Sequence, residues 1–434
     1  MAALRATALP DGAPLAMTGG ASGERSMATT SEPAAVRGGR HDLPVIGLIT
    51  LGHFFAHFYI IALPPLFPVL AEALGVGYTE LGVALAVLNL LTAVTQAPIG
   101  VLVDRYGPAA ILVAGQIAFA AAIAGIGLFP DYLALLLFSA LAGLGNAVYH
   151  PADYAILNAR VSERRMGRAF SFHTFGGYAG FAAAPPVLVA LDALWGWRAA
   201  LVIAGIAGLL VAALMVAARR HLHVDPHPRA RRPGGLRADL GLFASRPVLL
   251  AFLFITFYAT SHLGFNNFTT AFLERRYGFD LATANAPLTA FLVMGALGVL
   301  AGGLVADRVR RHDLVVAGCL LWAAGAAVVA AEVALGVGTL VAVFATAGFA
   351  TGVVAPSRDM LVRRITPPGA MGRVFGFVTT GFNVAGLVGP PVYGLVLDLG
   401  LPRLVMWIAA ALALATLPTV LSARAAGTAA RPAS

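Results

Sequence analysis

The sequence predicts an all-α membrane protein of twelve transmembrane helices, arranged as two pseudo-symmetric six-helix bundles. Three observations predict it: the composition is 59% hydrophobic and 11% charged, apolar runs recur along nearly the whole chain, and the pattern of the first half repeats in the second. A soluble domain averages about 25% charged residues. The chain is therefore expected to lie in a lipid bilayer.

The apolar runs have the length of membrane spans. A helix that crosses the hydrocarbon core needs about 20 mostly apolar residues. Runs of that length are found at 44–70, 79–103, 109–129, 132–159, 168–191, 197–218, 247–273, 285–306, 314–334, 337–362, 373–397 and 402–422. They predict twelve spans, which are numbered here in chain order.

Composition changes divide the chain into five segments. A tail rich in small and polar residues is predicted to be disordered, because it has no apolar periodicity. A polar, arginine-rich stretch separates the first six spans from the last six. The segments are a tail at 1–42, a bundle at 43–218, a cytoplasmic linker at 219–246, a second bundle at 247–422 and a C-terminal tail at 423–434.

The charges predict the orientation of the chain. All 29 basic residues are arginine, and the net charge is +9. Such a charge can indicate a nucleic-acid partner, but here the arginines lie in alternate loops between spans. Loops rich in basic residues stay on the cytoplasmic side. Both termini are therefore expected in the cytoplasm, with the protein in the cell inner (plasma) membrane and no nucleic-acid partner.

The two halves of the chain repeat each other. Residues 166–192 align without a gap with 371–397, and the same order of Met-Gly-Arg followed by Pro-Pro-Val occurs in both. Parallel repeats of this kind place a substrate site between the halves, near the midplane of the membrane. The repeat therefore predicts a transporter.

A loop motif supports that prediction. Gly100, Asp104 and Arg105 follow a G-x-x-x-D-R pattern after the second span, and a copy follows the eighth span at 303–308. The chain thus resembles the major facilitator superfamily, whose signature loop has this pattern. The resemblance implies alternating access for a small-molecule solute, with spans one, four, seven and ten lining a central cavity.

A second motif favours one direction of transport. Gly143-Leu144-Gly145-Asn146-Ala147, followed by His150-Pro151, resembles the fourth helix of fosmidomycin-resistance-like exporters. This resemblance implies movement of the solute out of the cell.

Six charged residues are interpreted as a cytoplasmic gate. Helix-end charges can pair in one state of a transporter and separate in the other. The alternative is that they are stop-transfer charges, and for the two aspartates of spans four and ten a substrate or proton role stays open. The gate candidates are Asp104, Arg105, Asp153, Asp307, Arg308 and Asp359.

Seven residues are candidates for contact with solute or protons. Histidine titrates near neutral pH, and an arginine in a membrane helix requires an anion. The alternatives are imidazoles bonded to carbonyls and amides that join helices. His53 and His57, at i and i+4, could also bind a metal, but no carboxylate or cysteine accompanies them on their span, so no metal is expected. The candidates are His53, His57, His150, His173, His262, Asn266 and Arg358.

No enzyme motif competes with transport. The chain has no Walker loop, HExxH or dinucleotide fingerprint, and its single cysteine, Cys319, cannot form an internal disulfide. The sequence therefore favours a monomer without a cofactor that exports a small organic solute in exchange for protons. Proton-symport uptake of a small organic anion is the alternative, and a membrane-embedded metalloenzyme is a third hypothesis.

Overall fold

The computed structural model describes residues 42–224, 241–309, 311–366 and 371–429, and all regular structure in these ranges is helical. Residues 1–41 of the tail predicted at 1–42, and residues 225–240 of the predicted linker, lie outside the described residues; Asp42 is the first residue of α1. The helices are α1 Asp42–Ile60, α2 Phe67–Leu74, α3 Tyr78–Tyr106, α4 Pro108–Leu128, α5 Tyr132–Asn146, α6 Tyr149–Arg160, α7 Glu163–Ala217, α8 Arg219–Leu222, α9 Arg246–Tyr277, α10 Leu281–Arg308, α11 His312–Glu332, α12 Val337–Ile365, α13 Met371–Asp398 and α14 Pro402–Ala429.

The helices confirm the predicted fold class. Eleven helical stretches of the described chain are long and apolar enough to cross a membrane. One of them, α7, has 55 residues, which at about 1.5 Å per residue is far longer than one crossing requires. Its backbone leaves the helical region at Gly196, where φ is 81°. A glycine accepts this conformation without a steric penalty, and the bend separates the predicted fifth and sixth spans.

Two other spans are interrupted. The first crossing is completed by a 3-10 turn at Pro64–Leu66 and by α2. The fourth consists of α5 and α6, which are separated at Ala147 and Val148. Pro151 lies in the first turn of α6, where a missing backbone N–H costs no helical hydrogen bond. Helix α6 packs against α1 and α4 of the first half.

The two halves meet along helices from opposite ends of the sequence. Helix α3 packs against α13, and α7 packs against α10. At the first contact a side chain at Gly82 would overlap the backbone of Pro390, and one at Gly394 would overlap the backbone of Tyr78. Small residues of this kind let membrane helices approach closely. The α3/α13 interface is therefore formed largely by backbone contact.

Close packing within the second half gives a first prediction. A side chain at Gly348 of α12 would overlap the backbone of Phe291 in α10. Gly348→Val should therefore destabilise the protein, by about 1–3 kcal/mol if the cost is that of ordinary overpacking. A lower midpoint of thermal unfolding in detergent would show it. Gly325→Val is the matched control, because an added Cβ there has no neighbour within 4 Å; equal losses in both variants would contradict the packing explanation.

Candidate functional site

Four histidines and one aspartate of the first half lie together. Helix α1 contributes His53 and His57, α6 contributes His150 and Asp153, and α7 contributes His173. The His173 Nε2 atom is 3.0 Å from Asp153 Oδ2, and the His53 Nδ1 atom is 3.3 Å from the same oxygen. These five residues are called the His–Asp cluster below.

The rings of the cluster pack on one another. The His53 ring centroid is 3.7 Å from that of His173, 4.5 Å from that of His57 and 5.4 Å from that of His150. Helix α7 leaves room for them with Gly177, where an added Cβ would lie 2.9 Å from His57 Cε1 and 3.1 Å from His53 Cδ2. The i and i+4 spacing on α1 gives its two histidines a common face. That face is turned toward α6 and α7.

The centre of the cluster is buried while one edge is open. Asp153 is fully buried, and His53 and His173 are 3% and 2% exposed. His150 is exposed and approaches Tyr154, whose ring centroid is 5.8 Å from its own. Buried Asp153 Oδ1 and His53 Nδ1 have no hydrogen-bond partner, although the His53 nitrogen is close to Oδ2. The cluster therefore contains polar atoms whose bonding capacity is unused.

The second half contributes an arginine and an aspartate from α12. The Nε and Nη2 atoms of Arg358 are each 2.8 Å from Asp359 Oδ1, and the guanidinium lies over the Phe382 ring at 5.3 Å. The Arg358 side chain is 16% exposed and that of Asp359 is 53% exposed. This pair is called the Arg358 site.

The Arg358 site interacts electrostatically with side chains of both halves. Arg358 is within electrostatic range of Tyr178 on α7, as well as of Tyr258 on α9. Asp359 is within range of Tyr178 and of Tyr154 on α6. Two of these three tyrosines belong to the first half, so the electrostatic surroundings of the pair include side chains of both halves.

His262 and Asn266 lie apart from the His–Asp cluster, on α9 of the second half. The His262 ring is 5.4 Å from the Phe291 ring and 5.8 Å from the Tyr258 ring, measured between centroids. His262 Nδ1 and Asn266 Oδ1 are buried without a hydrogen-bond partner. Of the seven residues expected to touch solute or protons, four thus belong to the cluster and Arg358 belongs to its own site.

The gate candidates are divided among several places. Asp104 and Arg105 end α3, with the Arg105 guanidinium 5.2 Å from the Tyr106 ring. Arg308 ends α10 and is exposed, while the side chain of Asp307 lies outside the described part. Asp153 was grouped with them from the sequence, but its carboxylate contacts imidazoles deep inside the first half. Asp359 pairs with Arg358.

A set of contacts between the halves was missed from the sequence. Asp398, at the end of α13, accepts hydrogen bonds from the backbone N–H of Tyr78 at 2.8 Å and from that of Thr79 at 2.7 Å. The Thr79 hydroxyl donates to the same carboxylate at 2.5 Å, and the Tyr78 hydroxyl donates to Glu274 at 2.5 Å. These four residues are called the Asp398 clamp. It joins the two halves at the end where α3 begins.

The sequence contained only a weak signal for the clamp. Asp398 lies at the end of a span, where an acidic residue is unremarkable. The free N–H groups at the start of α3 needed an acceptor, but the acceptor comes from 320 residues away along the chain. Only the packing of α3 against α13 brings the two together.

Comparisons with known proteins all indicate the same protein family. A model of the Major Facilitator Superfamily matches residues 49–288 and 258–433. The chain is 26% identical to a probable L-galactonate transporter of Escherichia coli. The match covers 54% of this chain and only 55% of that protein. It is 25% identical to the fosmidomycin resistance protein of the same organism, over 86% of this chain and 92% of that one.

A solved structure has the same fold. A bacterial homologue of the human lysosomal transporter Spinster, in an inward-facing and unoccupied conformation, superposes with a TM-score of 0.70. The match covers 90% of this chain and 96% of that one at 18% identity.

Proposed function

The chain belongs to the major facilitator superfamily and is a secondary transporter of the membrane, not an enzyme, and on that premise we propose that its cargo is a small organic anion whose movement is coupled to protons. The proposal is supported by one observation: the Arg358–Asp359 pair of α12 interacts electrostatically with Tyr154 and Tyr178 of the first half. Alternating access then moves the anion as the two halves rock about this site.

The Arg358 site has the chemistry to hold an anion. A guanidinium in a membrane protein is costly without an anionic partner, and it binds carboxylate or phosphonate oxygens through several parallel N–H groups. In the structure Asp359 provides the anion, with two N–H groups directed at one of its oxygens. A solute anion can take that place because Asp359 is more than half exposed.

The same pair supplies a route for proton coupling. An ionised Asp359 competes with the solute for Arg358, whereas a protonated Asp359 no longer does so. Protonation therefore favours anion binding, and release of the proton favours anion release. We assign the coupling proton to Asp359 because it shares Arg358 directly with the cargo. This order of events is that of symport, the alternative favoured less by the sequence.

Export is the second candidate function. It is supported by the fosmidomycin resistance protein, to which the chain is similar over most of both lengths. In exchange for protons, the solute would leave the site as a proton enters it. The two candidates differ in the sign of the response to a pH gradient.

The side of the membrane follows from the arginines. Loops at the end opposite the Asp398 clamp are the basic ones, and such loops remain in the cytoplasm. We therefore propose a cell inner membrane location with both termini cytoplasmic. The clamp then joins the two halves on the outer side of the membrane.

Flux measurements in proteoliposomes test the function. A panel of radiolabelled sugar acids, sulfonates and phosphonates, with a neutral sugar as control, is offered under an imposed pH gradient. We expect uptake of at least one anion, stimulated by acid outside for symport and by acid inside for export, and lost with a protonophore. Transport of the neutral sugar alone would overturn the proposal. So would an anion flux that changes neither with the pH gradient nor with the protonophore.

A further inference from the structure

The proposed transport mechanism gives no role to the most polar site of the first half. We propose that the His–Asp cluster binds one divalent transition metal ion of the zinc type. Its ligands are His53 Nδ1, the carboxylate of Asp153 and His173 Nε2, and a water molecule takes the fourth position. This site is separate from the Arg358 site and does not depend on which solute is carried.

The distances suit a metal ion. The three ligand atoms lie within 4.8 Å of one another, and the two nitrogens lie 3.3 Å and 3.0 Å from Asp153 Oδ2. Zinc binds nitrogen and oxygen at about 2.0 Å in a tetrahedron, so neighbouring ligand atoms in such a site are roughly 3.3 Å apart. The two nitrogen–oxygen distances are thus close to those around a tetrahedral ion.

The unused bonding capacity of the cluster points to the same ligand. Buried polar atoms are normally hydrogen-bonded, yet Asp153 Oδ1, His53 Nδ1 and His57 Nδ1 have no hydrogen-bond partner. A fully buried carboxylate is especially costly when its charge is not compensated. A cation between Asp153 and the imidazoles of His53 and His173 would use the free lone pairs of Asp153 Oδ1 and His53 Nδ1 and neutralise the charge. It would also replace the hydrogen bond between His173 Nε2 and Asp153 Oδ2. A purely structural hydrogen-bond network would be expected to leave fewer such atoms.

The ligand types select the class of metal. Imidazole nitrogen with one carboxylate suits zinc, copper, nickel, cobalt and ferrous iron. Calcium and magnesium require shells of oxygen ligands, which a cluster of four imidazoles and one carboxylate does not provide. Two further imidazoles lie beside the three ligands, with ring centroids 4.5 Å and 5.4 Å from that of His53.

The position in the fold determines what the metal does. Its ligands come from α1, α6 and α7, all in the first half. An ion there joins three helices of one bundle and crosses no interface between bundles. Binding is therefore expected to stabilise the first half in either state of the transporter, and to raise the midpoint of thermal unfolding.

Metal analysis of the full-length protein tests the proposal. The protein is purified with an affinity tag that contains no histidine, stripped with a chelator, loaded with Zn²⁺ and freed of excess ion. Elemental analysis should find one zinc per chain. Added Co²⁺ should give the visible absorption bands of a tetrahedral site, and Zn²⁺ should raise the unfolding midpoint of the stripped protein.

Variants separate the site from adventitious binding. Asp153→Asn and His173→Gln should each lower zinc affinity at least tenfold and remove the stabilisation by Zn²⁺. His223→Gln, an exposed histidine after α8, should behave as the wild type. Less than half an equivalent of zinc in the wild-type protein would overturn the proposal, a measurement that stands even if a cluster variant fails to fold. Full zinc binding and full stabilisation in both cluster variants would overturn it as well.

Discussion

Arg358→Ala is expected to abolish anion transport while leaving the protein folded. The side chain supplies two N–H groups to its anionic partner, and hydrogen bonds to charged groups contribute about 1.5–3 kcal/mol. The loss corresponds to roughly a 10- to 150-fold weaker site. Without Arg358, the charge of Asp359 would also repel the incoming anion. The measured loss of flux should therefore be at least as large as the upper end of this 10- to 150-fold range. Initial uptake rates in proteoliposomes and anion binding in detergent give the two readouts.

Companion variants distinguish a binding role from general damage. Arg363→Ala removes an exposed arginine one turn and a half further along the same helix and should transport normally. Arg358→Lys keeps the charge but loses the planar array of donors, so partial activity is expected. Asp359→Asn should retain anion binding and lose its dependence on pH, because the competing carboxylate can no longer ionise. Wild-type flux in Arg358→Ala would exclude any contact between this residue and the solute.

Asp398→Ala is expected to open the outer end of the transporter. The carboxylate accepts three hydrogen bonds from the start of α3, and all three connect one half with the other. It also satisfies two backbone N–H groups that α3 cannot bond internally. Each bond to a charged acceptor contributes about 1.5–3 kcal/mol, with incomplete additivity. A change of about 3 kcal/mol would shift the ratio of the two states more than 100-fold.

A distance measurement between the halves can show this shift. Spin labels at Ala73→Cys in α2 and Ala282→Cys in α10, both exposed, are introduced after Cys319→Ala has removed the native thiol. The label-to-label distance should become longer in Asp398→Ala, and the rate of transport should fall because the outward-closed state forms less often.

Asp280→Ala is the matched control for the clamp. Asp280 also caps a helix, accepting hydrogen bonds from the backbone and hydroxyl of Thr283, but within its own helix α10. These bonds lower the pKa of Asp280. Because these hydrogen bonds stay within one helix, Asp280→Ala should remove a helix cap without moving the two halves apart. An unchanged distance distribution in Asp398→Ala would show that the clamp does not hold the outer end closed.

Some of the site could be read from residue spacing alone. His53 and His57 share a helix face because α-helical residues at i and i+4 lie one above the other, and the structure retains that relationship. His150 and Asp153 were separated in the sequence interpretation, with the histidine toward the cavity and the aspartate toward the gate. In the structure both belong to one cluster, because α6 packs against α1 and α7.

The membrane spans, the repeat of six and six, and the family were determined by the sequence itself. In lipid, the backbone N–H and C=O groups can form hydrogen bonds only within their own helix. A run of about 20 apolar residues is therefore sufficient to define a span. The rotation of each helix about its axis is not encoded in hydropathy, since both its lipid-facing and its protein-facing sides are apolar. Which polar side chains meet, Asp153 with His53 and His173 or Asp398 with Tyr78 and Thr79, was therefore decided only by the tertiary packing of helices that are distant in sequence.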